Sequence, residues 1–448
     1  MDRRDFIRKS GILAAAGAVA ACAPKGKAEP AEEVHVPQDR PLKTDGQMLQ
    51  NYPGIGTLGY GCMRWPMKKE DDGTEHIDQE KVNALVDQAI ENGVNYFDTS
   101  PVYLRGDSER ATAEALNRHP RSKWLLATKL SNFSDASYDN SVMMYRRSLK
   151  TFKTDHIDYY LLHSIGSADD FKRRFEDTGI LDFLLAERKA GRIRNLGFSI
   201  HSQQPGFDAM MELHPKYHWD FVQIQMNYLD WTHAGGRNTN AKYLYEELEA
   251  RGIPVVIMEP LRGGGLANLN NNLAAKLKAI EPDKSISSWA FRFCGSFPGV
   301  MCALSGMTYK EHLDDNLDTF LHFKPLTQEE FDLLEEIADE QSRFPLVGCT
   351  GCQYCMPCPY GINIPGIFRF YDKTIVDETY VRSSEQKDFA RARRRYLAQY
   401  DKAVETIRQA DHCISCGRCA PHCPQHIRIP RELARIDTYI EAIKQGTL

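Results

Sequence analysis

Between about residue 55 and residue 320, short apolar runs of strand length alternate with amphipathic stretches of helical period, the pattern of repeated βα units. The strand candidates are GTLGYGC, VNYFD, WLLATK, IDYYLLH, IRNLGFS, DFVQIQM, IPVVIME and GVMCALS. Eight such units match a (β/α)8 TIM barrel in count and in length. A doubly wound sheet is the alternative, but the G-x-G-x-x-G that should follow its first strand is missing. Beyond these units, LTQEEFDLLEEIADEQ reads as an acidic amphipathic helix leading into a cysteine-rich, mostly helical end.

Other patterning marks the N-terminus. MDRRDFIRKSG precedes the short apolar run GILAAAGAVAA, which is too short to span a bilayer as a stable helix. Arg3, Arg4, Phe6, Ile7 and Arg8 with that run resemble a twin-arginine export signal, and VAAC resembles a lipobox in which Cys22 would be lipidated. Residues 23–48, rich in Pro, Ala and charge without an apolar period, read as a flexible linker. The expected division is a leader at 1–22, the linker at 23–48, a barrel at 49–325 and a second domain at 326–448. Export to the periplasm or a lipid anchor on a membrane follows from the leader, and a cytoplasmic protein is the alternative if the leader is silent.

The chain has 448 residues, enough for two domains with a sizeable core. Its 56 basic and 61 acidic residues give a net charge of -5 without long single-sign runs, which argues against nucleic-acid binding. Small molecules and proteins are the expected partners.

Eight of the 12 cysteines fall in two clusters, Cys349, Cys352, Cys355, Cys358 and Cys413, Cys416, Cys419, Cys423. Gaps of two residues let sulfurs converge on one centre, whereas neighbouring disulfides would be strained. CTGCQYCMPCPYGINIP and CISCGRCAPHCPQHIRIP align as an internal duplication, and the second has the C-x2-C-x2-C-x3-C-P spacing of a 4Fe-4S site. Four-cysteine zinc is the alternative. The pair resembles the two-cluster bacterial ferredoxin module with an insert of about forty-five residues. That resemblance implies one 4Fe-4S cluster on Cys349, Cys352, Cys355 and Cys423 and another on Cys413, Cys416, Cys419 and Cys358. The first run departs from the standard spacing by having two residues before its last cysteine. His422 and His426 read as bystanders, and Cys62, Cys294 and Cys302 as buried apolar positions.

Polar residues also stand where strand candidates end: Asp98 in NYFDTSPVY with Tyr103 just beyond, Lys129 in LLATK and His163 in DYYLLHS. In a barrel such positions converge on one mouth. Reducing a carbonyl takes a hydride on carbon and a proton on oxygen. A phenol with an ordinary pKa of about 10 is a poor acid unless a nearby ammonium favours the phenolate. The motifs FDTSPVY, ATK, DYYLLH and GFS resemble the aldo-keto reductase family over roughly residues 50–320. The resemblance implies a barrel using NADPH or NADH, with Tyr103 as the acid, Lys129 as its ammonium, Asp98 holding Lys129 and His163 binding the substrate oxygen. It further implies cofactor contacts from Ser199, Gln223, Gly263 and Gly264, and from Asn316 at the end of GMTYKEHLDDN. Ile200 replaces a common Asn, and Met307 and Thr308 fill places where many NADPH users carry a base.

The function expected is interconversion of a small carbonyl and an alcohol, with clusters that are structural or serve an external redox protein. An electron-transfer or binding protein whose barrel no longer turns over is the alternative. Hydride moves two electrons and each cluster one, and no flavin motif is visible to link them.

Overall fold

The structure is a computed structural model that describes residues 46–236 and 238–448. Arg3, Arg4, Phe6, Ile7, Arg8, Cys22 and the linker up to residue 45 lie outside the described residues.

Strands β1 (Leu58–Gly61), β4 (Tyr96–Asp98), β5 (Leu125–Leu130), β6 (Ile157–Ile165), β7 (Ile193–Ile200), β8 (Val222–Gln225), β9 (Val255–Met258) and β10 (Val300–Ser305) close into a parallel barrel, β10 completing the ring against β1. An eight-stranded barrel is wide enough only for a packed interior, which explains the buried residues along almost every strand. Tyr96, Ala127, Tyr159, Leu161, Phe221, Val256, Met301 and Cys302 fill part of it. The packing leaves no room at Gly59, where an added Cβ would sit 2.4 Å from Cys302 Sγ. Cys62, Cys294 and Cys302 are all buried, as apolar positions.

Between β1 and the helix Gln79–Glu91 the chain forms an antiparallel hairpin, β2 (Met67–Lys69) and β3 (Glu75–Ile77), which the sequence pattern does not announce. Five of its six residues are exposed, so no apolar alternation marked it. The helix Gln328–Ser342 begins with a capping box, Thr327 with Glu330, and Glu330 also receives Arg292 Nη2 at 2.6 Å.

The C-terminal part is built on the duplication. Each cysteine run leads through an Ile-Pro pair into a helix, Ile364–Val376 and Ile429–Gln445, where proline suits the first turn. These helices and Phe389–Ala403 share a core that includes Ile367, Phe368, Tyr371, Tyr396, Leu433, Ile436 and Ile440.

Candidate active site

Asp98, Lys129 and His163 come from β4, β5 and β6, adjacent in the sheet, and Tyr103 from the turn after β4. Neighbouring strands therefore bring together residues that lie up to 65 positions apart in the chain.

Lys129 Nζ donates to both Asp98 oxygens at 2.6 and 2.7 Å and to the Thr99 carbonyl at 2.8 Å. The pair is buried, Lys129 at 0% exposure. Burial pushes the ammonium below the usual lysine range, and Asp98 opposes that shift. The ammonium stands 4.8 Å from the centre of the Tyr103 ring.

Tyr103 differs from its expected state. Its hydroxyl is held well above the ordinary tyrosine value, first by burial and then by Tyr354 and Asp98. Desolvation of a phenolate here outweighs the ammonium beside it. His163 is buried at 4% exposure, and burial with the nearby charges of Lys129 and Arg174 pushes it well below the usual histidine range, leaving it neutral. Its Nδ1 lies 2.6 Å from Ser131 Oγ, which lies 2.8 Å from Ser100 Oγ. The two hydroxyls and Nδ1 form one hydrogen-bonded chain, and where Ser131 donates to Nδ1 the imidazole proton stands on Nε2. Arg174 Nη2 fixes the His163 carbonyl at 2.8 Å. Ser100 and Ser131 escaped the sequence reading because isolated serines carry no spacing signal.

The backbone at this mouth is strained. Leu104, Arg105, Ser164, Glu259 and Arg262, none of them glycine, have φ between 48° and 59°. Such conformations persist only where the surroundings impose them, and they gather at functional sites.

The residues expected to meet a nicotinamide cofactor lie around the same rim. Ser199 Oγ accepts from the Ser164 amide at 2.7 Å. Gln223 is buried, and its Oε1 has no hydrogen-bond partner, so a bound amide donor would satisfy it. Asn316 Nδ2 donates to Ser305 Oγ at 2.7 Å, tying its helix to the end of β10. Gly264, at φ 97°, is open, with nothing near its would-be Cβ. At Gly263, φ 68°, that Cβ would lie 2.4 Å from the Thr350 carbonyl oxygen. The close approach at Gly263 is thus made by the backbone of the first cysteine run, where the resemblance implied a cofactor contact. The nicotinamide end of the rim fits the cofactor, while the glycine loop is shared with the cysteine-rich part.

Other contacts seat that part on the barrel. Arg64 Nη2 donates to the Thr350 carbonyl. Gln425 Nε2 donates to Gln225 Oε1 at 2.9 Å, and an added Cβ at Gly236 would lie 2.5 Å from the Gln425 carbonyl. Tyr354, between Cys352 and Cys355, lies alongside Tyr103 with ring centres 6.5 Å apart and planes at 28°.

The thiols ring two cavities. One is lined by Cys349, Cys352, Cys355 and Cys423 with Ile364, Phe368 and Ile427. The other is lined by Cys358, Cys413, Cys416 and Cys419, with Cys355 at its edge. Burial raises the Cys349 thiol to about 11 and that of Cys355 to about 12, so metal entering the first ring must displace protons. Among the described residues no group of three His, Cys, Asp or Glu side chains is gathered for a single metal ion.

Comparison with known proteins gives two family matches. The aldo/keto reductase family matches residues 57–339, and the 4Fe-4S dicluster domain matches residues 348–428. The uncharacterized oxidoreductase YqkF of Bacillus subtilis is 28% identical over 309 residues, covering 63% of this chain and 92% of its own length. Methylglyoxal reductase YeaE of Escherichia coli is 26% identical over 282 residues, covering 60% and 88%. Among solved structures, the holo form of AKR11C1 from Bacillus halodurans has a TM-score of 0.51 at 21% identity, covering 66% of this chain and 95% of that one. An aldo/keto reductase from Klebsiella pneumoniae in complex with NADP and acetate has a TM-score of 0.51 at 19% identity, covering 63% and 92%.

Proposed function

The chain belongs to the aldo/keto reductase family, and from that premise we propose that it interconverts a small carbonyl compound and its alcohol with NADPH or NADH, beneath a module that holds two 4Fe-4S clusters. The observation that carries this reading is the buried constellation itself: Tyr103, Lys129, Asp98 and a neutral His163 converging at one end of the barrel.

A bound nicotinamide would supply hydride to the carbonyl carbon. The protein's own groups manage the oxygen. His163 Nε2–H donates a hydrogen bond that orients the carbonyl and stabilises its growing negative charge. Tyr103 hands its proton to that oxygen. Lys129, held by Asp98 and Thr99, stands over the phenol and lowers the cost of the phenolate left behind. Burial keeps Tyr103 protonated and ready to donate until substrate arrives. Ser199, Gln223, Gly264 and Asn316 are the residues proposed to hold the cofactor.

In the cysteine-rich part, the sets Cys349, Cys352, Cys355, Cys423 and Cys358, Cys413, Cys416, Cys419 are proposed to hold one cluster each. The duplication and the matched dicluster family support iron over zinc. We further propose export by the twin-arginine route, which suits a protein folded around its clusters beforehand, with Cys22 as a lipid anchor.

One observation favours a second reading, a barrel that binds or transfers electrons without turnover: the Thr350 backbone already fills the approach to Gly263. Carbonyl turnover by iron-loaded protein with NADPH or NADH decides between them. Tyr103→Phe should abolish that turnover while nicotinamide binding persists. Turnover equal to that of the unaltered chain would remove Tyr103 from its role.

A further inference from the structure

We infer that Arg64 is a further binding residue for the dinucleotide, reaching its pyrophosphate from the end of the first barrel strand, and that the phosphate and the Thr350 carbonyl compete for that guanidinium. The inference rests on the proposed use of NADPH or NADH.

Three contacts place Arg64 between the segments expected to meet the cofactor. Its carbonyl accepts from Thr308 Oγ1 at 2.9 Å, and its stem packs so closely on Gly306 that an added Cβ there would lie 2.8 Å from Arg64 Cδ. Both contacts are with the start of GMTYKEHLDDN, the stretch in which Met307 and Thr308 leave no base. Its Nη2 donates to the Thr350 carbonyl, the same oxygen that fills the space beside Gly263, whose φ is 68°. One backbone oxygen therefore sits where a guanidinium and a left-handed glycine converge, a setting that suits a phosphate oxygen.

Two other cations of these segments are already matched to carboxylates. Lys310 Nζ pairs with both Asp314 oxygens at 2.6 and 2.8 Å, and Arg262 Nε stands 3.5 Å from Asp230 Oδ1. Arg64 by contrast donates to a neutral carbonyl, and Glu259 is the carboxylate whose charge it offsets. Exchanging that carbonyl for a charged phosphate oxygen strengthens the bond. Thr350 is able to give way, because the left-handed glycines Gly348 and Gly351 flank it at φ 73° and 67°. Cys349 and Cys352 belong to the same run, so its displacement reaches the first thiol ring.

Titrations of the full-length, iron-loaded protein by nicotinamide fluorescence read the affinity directly. Arg64→Met should raise the Kd for NADPH and NADH about tenfold or more, the size of one charge-assisted hydrogen bond, and Arg64→Lys should restore part of the loss. Glu259→Gln should lower the Kd, because it removes a charge of the same sign as the phosphate. Saturating NADP+ or NAD+, which has no hydride to give, should speed hydrogen exchange at the amides of residues 348–352 in the unaltered chain. If Arg64 only clamps Thr350, Arg64→Met would leave the Kd unchanged or lower it, and that result overturns the phosphate contact. Glu259→Gln carries the test should Arg64→Met fail to fold, and an unchanged Kd there overturns the contact as well. Exchange at 348–352 that stays the same or slows overturns the competition. An unaltered chain that binds neither nicotinamide would instead overturn the proposed function and this inference with it.

Discussion

At the scale of single residues, the site depends on groups whose charge is decided by burial. Replacing Lys129 by Met would strand the Asp98 carboxylate in the interior, at a cost of about 3–5 kcal/mol in denaturant unfolding. His163 gives a pH signature. Folded, it stays neutral well below its ordinary value of about 6.5, while the unfolded chain takes up the proton there. Stability present above pH 6.5 is therefore lost as pH falls below it. His163→Asn should flatten the decline in unfolding midpoint between pH 7 and pH 5, and an unchanged slope would contradict the assignment. For the same reason the kcat profile should show no break near pH 6.5 from this group. The sequence pointed to these four residues because Asp98, Lys129 and His163 stand at or near the ends of successive strands with Tyr103 just beyond the first, and the structure brings them together. The state of Tyr103 was not legible, because it is set first by burial and then by Tyr354, some 250 residues away, neither of which local spacing records.

At the scale of elements, the eight barrel strands could be read from their apolar runs, since burial on both faces leaves a plain pattern. The β2–β3 hairpin could not, being exposed. The glycine loop after β9 shows how a correct motif can gain a different neighbour: its left-handed glycines are there, but Gly263 approaches Thr350. Gly263→Ala should thus cost more than a conformational penalty alone, roughly 1–3 kcal/mol from strain and overlap together. Gly265→Ala, with open space and no positive φ, should be near neutral. Equal unfolding midpoints for the two variants would argue that the first cysteine run does not rest on this loop.

At the scale of the whole molecule, the cysteine-rich module rests on the barrel through Thr350, Tyr354 and Gln425. The first thiol ring belongs to the run whose Thr350 and Tyr354 meet the barrel, while the second reaches the surface at the exposed Cys416. If each thiol ring holds one cluster as proposed, Cys352→Ser and Cys416→Ser should each lose roughly half the iron. Only Cys352→Ser should also depress carbonyl turnover, because it loosens the run whose Thr350 and Tyr354 lie against the barrel mouth. Equal losses of turnover would contradict that distinction. The duplication announced the two rings in sequence, but their seating on the barrel depends on contacts such as Gln225 with Gln425, across 200 residues, that no local pattern records. The most direct measurement is an anaerobic titration of the iron-loaded chain with NADPH and with NADH, following nicotinamide fluorescence and then carbonyl turnover. Saturable binding of one of them, followed by oxidation that requires both a carbonyl and Tyr103, is the predicted result. Absence of binding by either would contradict the reductase account and leave an electron-transfer or binding protein built on the same barrel.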